Sequence, residues 1–446
     1  MLELLIIIDY VNGWYKINNY IYLIKYNSNY GVRHHHSPYI SFLICYYLII
    51  LKKDKKLYKE GAYMKPELRF PEFKNEWKLE NLGNLADIVR GASPRPIKDS
   101  KWFDDNSDIG WLRISDVTQQ NGKIKFLQQH LSTEGQKKTR VLYEPHLLLS
   151  IAASVGKPVI NYVKTGVHDG FLIFMKPKFD LYFMFNWLEN FQLKWKKYGQ
   201  PGSQVNLNSD LVKSQNIYIP YSYEEEEKMG TFFSKLDRQI ELEEQKLAKL
   251  EEQKKGYMQK IFSQELRFKD GSGNEYPEWE DVKLQNIANI KKGEQIKKEN
   301  IDNNGKYYHL NGGTTASSRT NLFNTNPFTI SISEGGNSCG FIKMNKEYFF
   351  SGGHNYTLLD LSVSNFYLYS YLKYHEKKIM SLRVGSGLPN IQKKDISNYL
   401  IKIPRKEEQE KIGSFFKNLD EFIEKQANKV ELLKQRKQSF LQKMFV

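Results

Sequence analysis

Four polar, glycine-rich loops carry the side chains best suited to chemistry on another molecule. They read RGASPRPIKDSK (90–101), GQPGSQVN (199–206), NGGTTASSRTN (311–321) and RVGSGLPN (383–390). Arginine, asparagine and glutamine on positioned loops can bond to base edges, while lysine, arginine and backbone amides can hold phosphate. In and around the first two loops the suited residues are Arg90, Arg95, Lys98, Arg113, Lys157 and Gln204. Around the other two they are Lys291, Lys292, Lys297, Lys298, Arg319, Lys343 and Arg383. The same composition also suits ordinary surface turns, so no single loop decides between the two readings. Charge leans toward binding: 66 lysines and arginines against 51 acids leave +15 over 446 residues. That surplus points to a polyanion without separating DNA, RNA and acidic membrane.

Catalytic patterns are largely missing. SVGKP (154–158) has Gly-Lys but lacks the first glycine and the hydroxyl residue of a phosphate loop. No GxGxxG fingerprint follows a strand pattern. TNPFT (325–329) is similar in part to the Asn-Pro-Pro-Phe/Tyr motif of amino-methyltransferases, but it lacks the second proline and a cofactor loop. His34, His35 and His36 have no matching acids or cysteines, so no metal site is expected. His168 and Asp169 in VHDG have no nucleophile motif beside them and read as the end of a strand. Two cysteines, Cys45 and Cys339, make neither a disulfide framework nor a zinc spacing, which suits a reducing, cytoplasmic setting.

The elements that position the loops are repeated. EKMGTFFSKLDRQI (227–240) returns as EKIGSFFKNLDEFI (410–423), an offset of 413 − 230 = 183. IYIP (217–220) matches IKIP (401–404), and KKGYMQKIF (254–262) matches KQSFLQKMF (437–445). LRFPEFKNEWKLENLGNLADIVRG (68–91) parallels LRFKDGSGNEYPEWEDVKLQNIANIKKG (266–293), aligning Trp77 with Trp279 and Gly91 with Gly293. The stretches between, 92–216 and 294–400, share little sequence: scaffold is duplicated and payload is not.

Each scaffold copy predicts a helix of about 40 residues, 222–262 and 405–445, hence roughly 60 Å long. Ser222 with Glu225 reads as a capping box at the start of the first. Leu236, Ile240, Leu247, Leu250, Tyr257 and Ile261 make a heptad stripe, matched by Leu419, Ile423, Val430, Leu433, Phe440 and Met444. Both stripes break at the same places, Glu243 with Gln426 and Lys254 with Lys437, where polar residues would fix register. The two helices are expected to pair antiparallel, with Leu236, Ile240, Leu247 and Leu250 against Val430, Leu433, Phe440 and Met444. A parallel pair would crowd both variable regions at one end.

The variable regions read as mixed α/β, rich in strand. The expected order is a domain at 64–220, a helix at 221–265, a second domain at 266–404 and a helix at 405–446. Residues 1–63 differ from the rest, being dense in Ile, Tyr, Leu, Asn and Lys. Their apolar run ISFLICYYLIIL is about 12 residues, short of the roughly 20 that span a bilayer. They are expected to be an upstream extension, with Met64 as the start; a membrane-associated hairpin is the rival. Without the eight basic and four acidic residues of this stretch the charge is 15 − 4 = +11.

The block IPRKEEQEKIGSFFKNLDEFIEK (403–425), preceded by GSGLPNIQKKDISNYLIKIP, resembles the constant regions of type I restriction-modification specificity subunits. The segment from Trp77 through LGNLADIVRGASPRPIKDSKWFDDNSDIGWLRISDV (to 117) resembles the opening of a target-recognition domain in that family. The resemblance covers nearly all of 64–446. It implies two α/β target-recognition domains separated by long helices in an antiparallel coiled coil with pseudo-twofold symmetry. It further implies double-stranded DNA as ligand, each variable domain reading half of a bipartite asymmetric target. Two methyltransferase subunits and motor-nuclease subunits are the implied partners. S-adenosylmethionine, ATP and Mg belong to those partners, and this chain is expected to bind none of them and to be non-catalytic alone. A coiled-coil adaptor binding protein or glycan is the alternative that the repeat by itself allows.

Overall fold

Uninterrupted helix-forming sequence in each scaffold copy folds as expected, into helices Tyr223–Phe262 and Lys406–Met444. The computed structural model describes residues 65–446 apart from 153, 199–206, 386 and 388. The leader with its histidine run and Cys45, and the loop carrying Gln204, lie outside the described residues.

The chain forms two units, one reaching Gly230 and completed by Phe440–Val446, the other Thr231–Ser439. Within the second unit the two long helices run antiparallel. Asp237 meets Lys437 at 2.8 Å, Glu243 meets Gln426 at 2.7 Å, and Lys254 meets Asp420 at 2.5 Å. Residue numbers thus rise on one helix as they fall on the other. Asp237 and Asp420 are equivalent positions in the repeat, as are Lys254 and Lys437. The two ion pairs are therefore the same contact made twice, while Glu243 and Gln426, also equivalent, meet each other between them. Of the polar breaks in the stripe, Glu243 and Gln426 are partners of each other, whereas Lys254 and Lys437 each pair with an aspartate across the helices. Around them Ile240, Val430 and Leu433 are buried, and Leu236, Leu247, Leu250, Leu419 and Ile423 are half-buried.

Glu225 does not close the expected capping box with Ser222. Its carboxylate, 1% exposed, is taken by Arg69 through two bonds of 2.6 and 2.7 Å and by the Trp77 indole at 3.3 Å. The second copy repeats the arrangement with Glu408, Arg267 and Trp279, at 3.2, 2.7 and 3.2 Å. A buried carboxylate must be fully paired to be tolerated, and the guanidinium fork and the indole pair it.

The variable regions, unlike in sequence, are alike in topology. In the first unit the main sheet has the order 87–90, 171–175, 147–150, 158–161, 123–124. In the second it is 289–292, 355–359, 329–333, 342–345. A smaller sheet accompanies each. It is built on the parallel pair Gly110–Leu112 with Thr165–Val167 in one, and Tyr307–Leu310 with Phe349–Ser351 in the other. The third strand differs, since Arg140–Leu142 joins Thr165–Val167 whereas Ser318–Thr320 joins Tyr307–Leu310. Payload is thus duplicated as fold. Strands 147–150, 158–161 and 329–333 are buried at every position, a demand that many strand-forming sequences satisfy.

Each unit also closes in the same way. Leu266 N–H donates to Lys260 O at 2.9 Å just after the first long helix ends. Leu68, its repeat partner, donates to Lys443 O at 2.8 Å, so the C-terminal turn does for the first unit what Lys260 does for the second. Phe262 packs with Trp279 and Tyr367, and Phe445 packs with Phe183, itself against Trp77.

Candidate nucleic-acid interface

In the first unit the loop 90–101 leaves strand Asp87–Arg90 and crosses the end of strand Thr165–Val167. Gly91 permits the crossing, for a Cβ there would lie 2.2 Å from the His168 carbonyl oxygen. Gly293 does the same in the second unit, 2.1 Å from the Gly352 carbonyl oxygen. The matched glycines align Arg90 with Lys292 and Arg95 with Lys297.

Asp169 organises the first loop. It accepts from Ser93 Oγ at 2.8 Å and from Arg95 Nη2 at 2.7 Å, and its carbonyl accepts from Arg90 Nε at 2.6 Å. Burial disfavours the charged carboxylate, but the Ser93 hydroxyl and the His168, Arg95 and Arg90 charges outweigh it and hold the group below its ordinary value. His168 is lowered, chiefly by burial, with the two arginines outweighed in part by Asp169 acting the other way. VHDG is thus a turn past the strand end that ties down the basic loop, more than a strand end alone.

An open cleft of about 830 Å³ adjoins this loop, lined by Lys98, Arg113, Ser115 and Gln129 and floored by Trp111 and His168. Asp104 and Asp105 also line it, so it offers both donors and acceptors. Arg113 is held by Asp116 at 3.1 Å, and Asp116 also accepts the Arg113 backbone N–H at 2.8 Å. Lys98 is exposed. Lys157 stands apart from the cleft lining and bonds to Asn121 Oδ1 at 2.8 Å.

In the second unit the basic residues are more dispersed. Lys292 pairs at 2.5 Å with Glu334, whose side chain is buried and also accepts from Tyr356 Oη at 2.9 Å. Lys291 pairs with Glu294 at 3.2 Å, and Lys297 lies 3.8 Å from Glu299. Arg319 donates to the carbonyls of Gly305 and Lys306 at 2.6 and 2.8 Å, so most of its fork pins its own loop. Lys343 lies over the Tyr308 ring at 5.2 Å, and burial holds its ammonium below its ordinary value. Lys298 and Arg383 are exposed.

The structure thus gathers Arg90, Arg95, Lys98 and Arg113 around one loop and cleft, and spreads the second set over several elements. Sequence reading missed the acids that hold these cations: Asp169, Asp116 and Glu334. It also missed Glu225 and Glu408, although their offset of 183 and the repeated Leu-Arg-Phe triplets were visible signals. Among the described residues no cluster of three or more His, Cys, Asp or Glu could hold a metal ion. Among them, too, no helix is long and apolar enough to cross a membrane.

Two domains of one topology and different loop chemistry, each built onto a duplicated helix, define a modular recognition protein. The chain matches the family described as type I restriction modification DNA specificity domain over residues 74–252 and 276–435, and it belongs to that family. It is 34% identical over 173 residues to a putative type I specificity subunit of Mycoplasma genitalium, a match covering 37% of this chain and 44% of the relative. The chain therefore spans under half the length of that relative. A putative specificity subunit of the type I restriction enzyme MjaX from Methanocaldococcus jannaschii is 25% identical over 443 residues, covering 86% of this chain and 96% of the relative. The fold is that of the crystal structure of the type I restriction-modification S subunit from M. genitalium. The TM-score is 0.63 at 17% identity, covering 86% of this chain and 99% of that one.

Proposed function

We propose that the chain is the DNA-specificity subunit of a type I restriction-modification complex. Each α/β domain reads one half of a bipartite, asymmetric target in double-stranded DNA, and the helical pair sets the distance between halves. The observation that carries this reading is repetition of topology without repetition of loop chemistry. One fold offers Arg90, Arg113 and Gln129 where the other offers Lys292 and different neighbours. Base-edge recognition calls for that combination, a constant frame with variable donors and acceptors. The net charge of +15 supports a polyanionic ligand.

In this reading the repeated scaffold docks two methyltransferase subunits in equivalent ways, and motor-nuclease subunits join them in the cytoplasm. S-adenosylmethionine, ATP and Mg are bound by those partners, and this chain supplies recognition without catalysis. Mapping methylated adenines after co-expression with methyltransferase partners tests the assignment, and a two-part asymmetric motif is expected. Filter binding of the purified chain to duplex DNA separates it from a protein- or glycan-binding adaptor. Affinity should fall steeply with salt as counterions are released from phosphate, whereas an adaptor shows little binding at any salt.

A further inference from the structure

The two units seat a domain helix on a long helix in the same way, but with different chemistry. In the second unit Gln409 does the seating. Its Oε1 accepts from Ser364 N–H at 2.9 Å, and its Nε2 donates to the Pro404 carbonyl at 2.8 Å. Ser364 precedes helix Asn365–Tyr374, which lies against Gly413, where a Cβ would stand 2.8 Å from Tyr367 N.

At the matching place in the first unit the chain has Glu226 for Gln409, Asp180 for Ser364 and Gly230 for Gly413. Glu226 Oε2 accepts from Asp180 N–H at 2.9 Å, the bond that the amide oxygen makes in the other copy. Asp180 in turn caps helix Leu181–Phe191, its Oδ1 accepting from Phe183 N–H at 2.8 Å. A Cβ on Gly230 would lie 2.1 Å from that same Oδ1, so the acid is pressed onto the long helix. One seat is therefore an amide against a serine, and the other is two carboxyls side by side.

We propose that Glu226 is a pH-sensitive latch: protonated, it reproduces Gln409 and holds helix Leu181–Phe191 on the long helix, and ionised, it faces Asp180 as a second negative charge and loosens that seat. A protonated carboxyl has both an acceptor and a donor, as an amide does, whereas a carboxylate only accepts.

The proton belongs to Glu226 because Asp180 receives backbone N–H bonds from Phe183 and Tyr182 that favour its charged form. Glu226 has only the Asp180 N–H. The other groups facing the latch are Tyr223, Glu225 and Glu227 on its own helix and Lys78 on strand Lys78–Asn81. Glu225 is ion-paired with Arg69 at 2.6 Å. Burial, 3% exposure, together with the Asp180 and Glu225 charges, lifts Glu226 to about 7, against the Asp180 N–H and Lys78. Burial first, with the Glu227 charge, also pushes Asp180 up.

The folded-state value lies above the unfolded one, so the latch contributes stability at low pH. That contribution declines as pH rises from about 4.5 to about 7 and is gone above the latter. The inference concerns the seat of the first unit and stands apart from the identity of its ligand.

Amide hydrogen exchange on the full chain tests it. Helix Asn365–Tyr374 in the same molecule serves as the reference that cancels the intrinsic pH dependence of exchange. Relative to it, helix Leu181–Phe191 should open up to about tenfold more readily at pH 8 than at pH 6. Glu226→Gln should keep the pH 6 protection at pH 8. A wild-type ratio equal at the two pH values overturns the latch, and so does a Glu226→Gln protein that responds to pH as the wild type does.

Discussion

At the scale of single residues, the strongest constraints are the buried acids of the scaffold. Glu225→Ala strands the Arg69 guanidinium, only 12% exposed, without its counter-ion. Stability of the first unit should fall by about 3–5 kcal/mol. Glu408→Ala should do the same to the second unit, and urea unfolding followed unit by unit checks both. Replacing Arg69 and Glu225 together by apolar residues should recover part of the loss, since no charge is then left unpaired, while the buried Trp77 N–H still lacks the acceptor that Glu225 gave it. Glycines offer a paired contrast. Gly413→Ala meets Tyr367 N at 2.8 Å and should cost about 1–3 kcal/mol through overpacking. Gly256→Ala meets nothing within 4 Å in mid-helix and should gain about 0.5–1 kcal/mol in the same unfolding experiment.

At the scale of elements, the helical pair is held in register by one ion pair made twice. Lys437→Glu places a carboxylate against Asp237, with the two sites 12% and 15% exposed. Stability measured by urea unfolding should drop by on the order of 2 kcal/mol, less than for a fully buried pair because some solvent contact remains. Adding Asp237→Lys to the same chain should restore it, because the swapped pair has the same geometry with its signs reversed. A seven-residue insertion into both helices lengthens each by about 10 Å. Under the proposed function this should widen the spacer of the methylated sequence by about three base pairs at 3.4 Å each. An unchanged spacer would mean that the helices do not measure it.

At the scale of the whole molecule, modularity is the property to test. The payload of the second unit lies between Gly293 and Ile401, beside the ribbon Glu280–Lys283 with Leu400–Ile403, and its main sheet takes one strand from the scaffold, Asn289–Lys292, paired with Asn355–Leu359. Replacing residues 294–400 by the corresponding region of another family member should change one half of the methylated motif and leave the other. Motif mapping reads this directly, and a change in both halves would show that the domains recognise DNA as one coupled unit.

Much of this protein was legible in its chain. The crowding that a parallel pair would cause pointed to antiparallel packing, and the offset of 183, the heptad stripe and the paired breaks at Glu243 with Gln426 and Lys254 with Lys437 were enough for the two long helices. They are local and periodic signals, set by a helical repeat that sequence displays one residue at a time. The partners of those breaks were not legible, because an ion pair across 166 residues depends on which turn faces which. Nor was the common topology of the variable regions, since strand pairing is non-local and tolerates wide substitution. Glu226 shows the division most sharply. Beside Glu225 it reads as one more acid in the first turn of a helix, suited to the helix dipole. Only tertiary packing, by burying it against Asp180 where the other copy has Gln409 and Ser364, makes it a group whose proton matters.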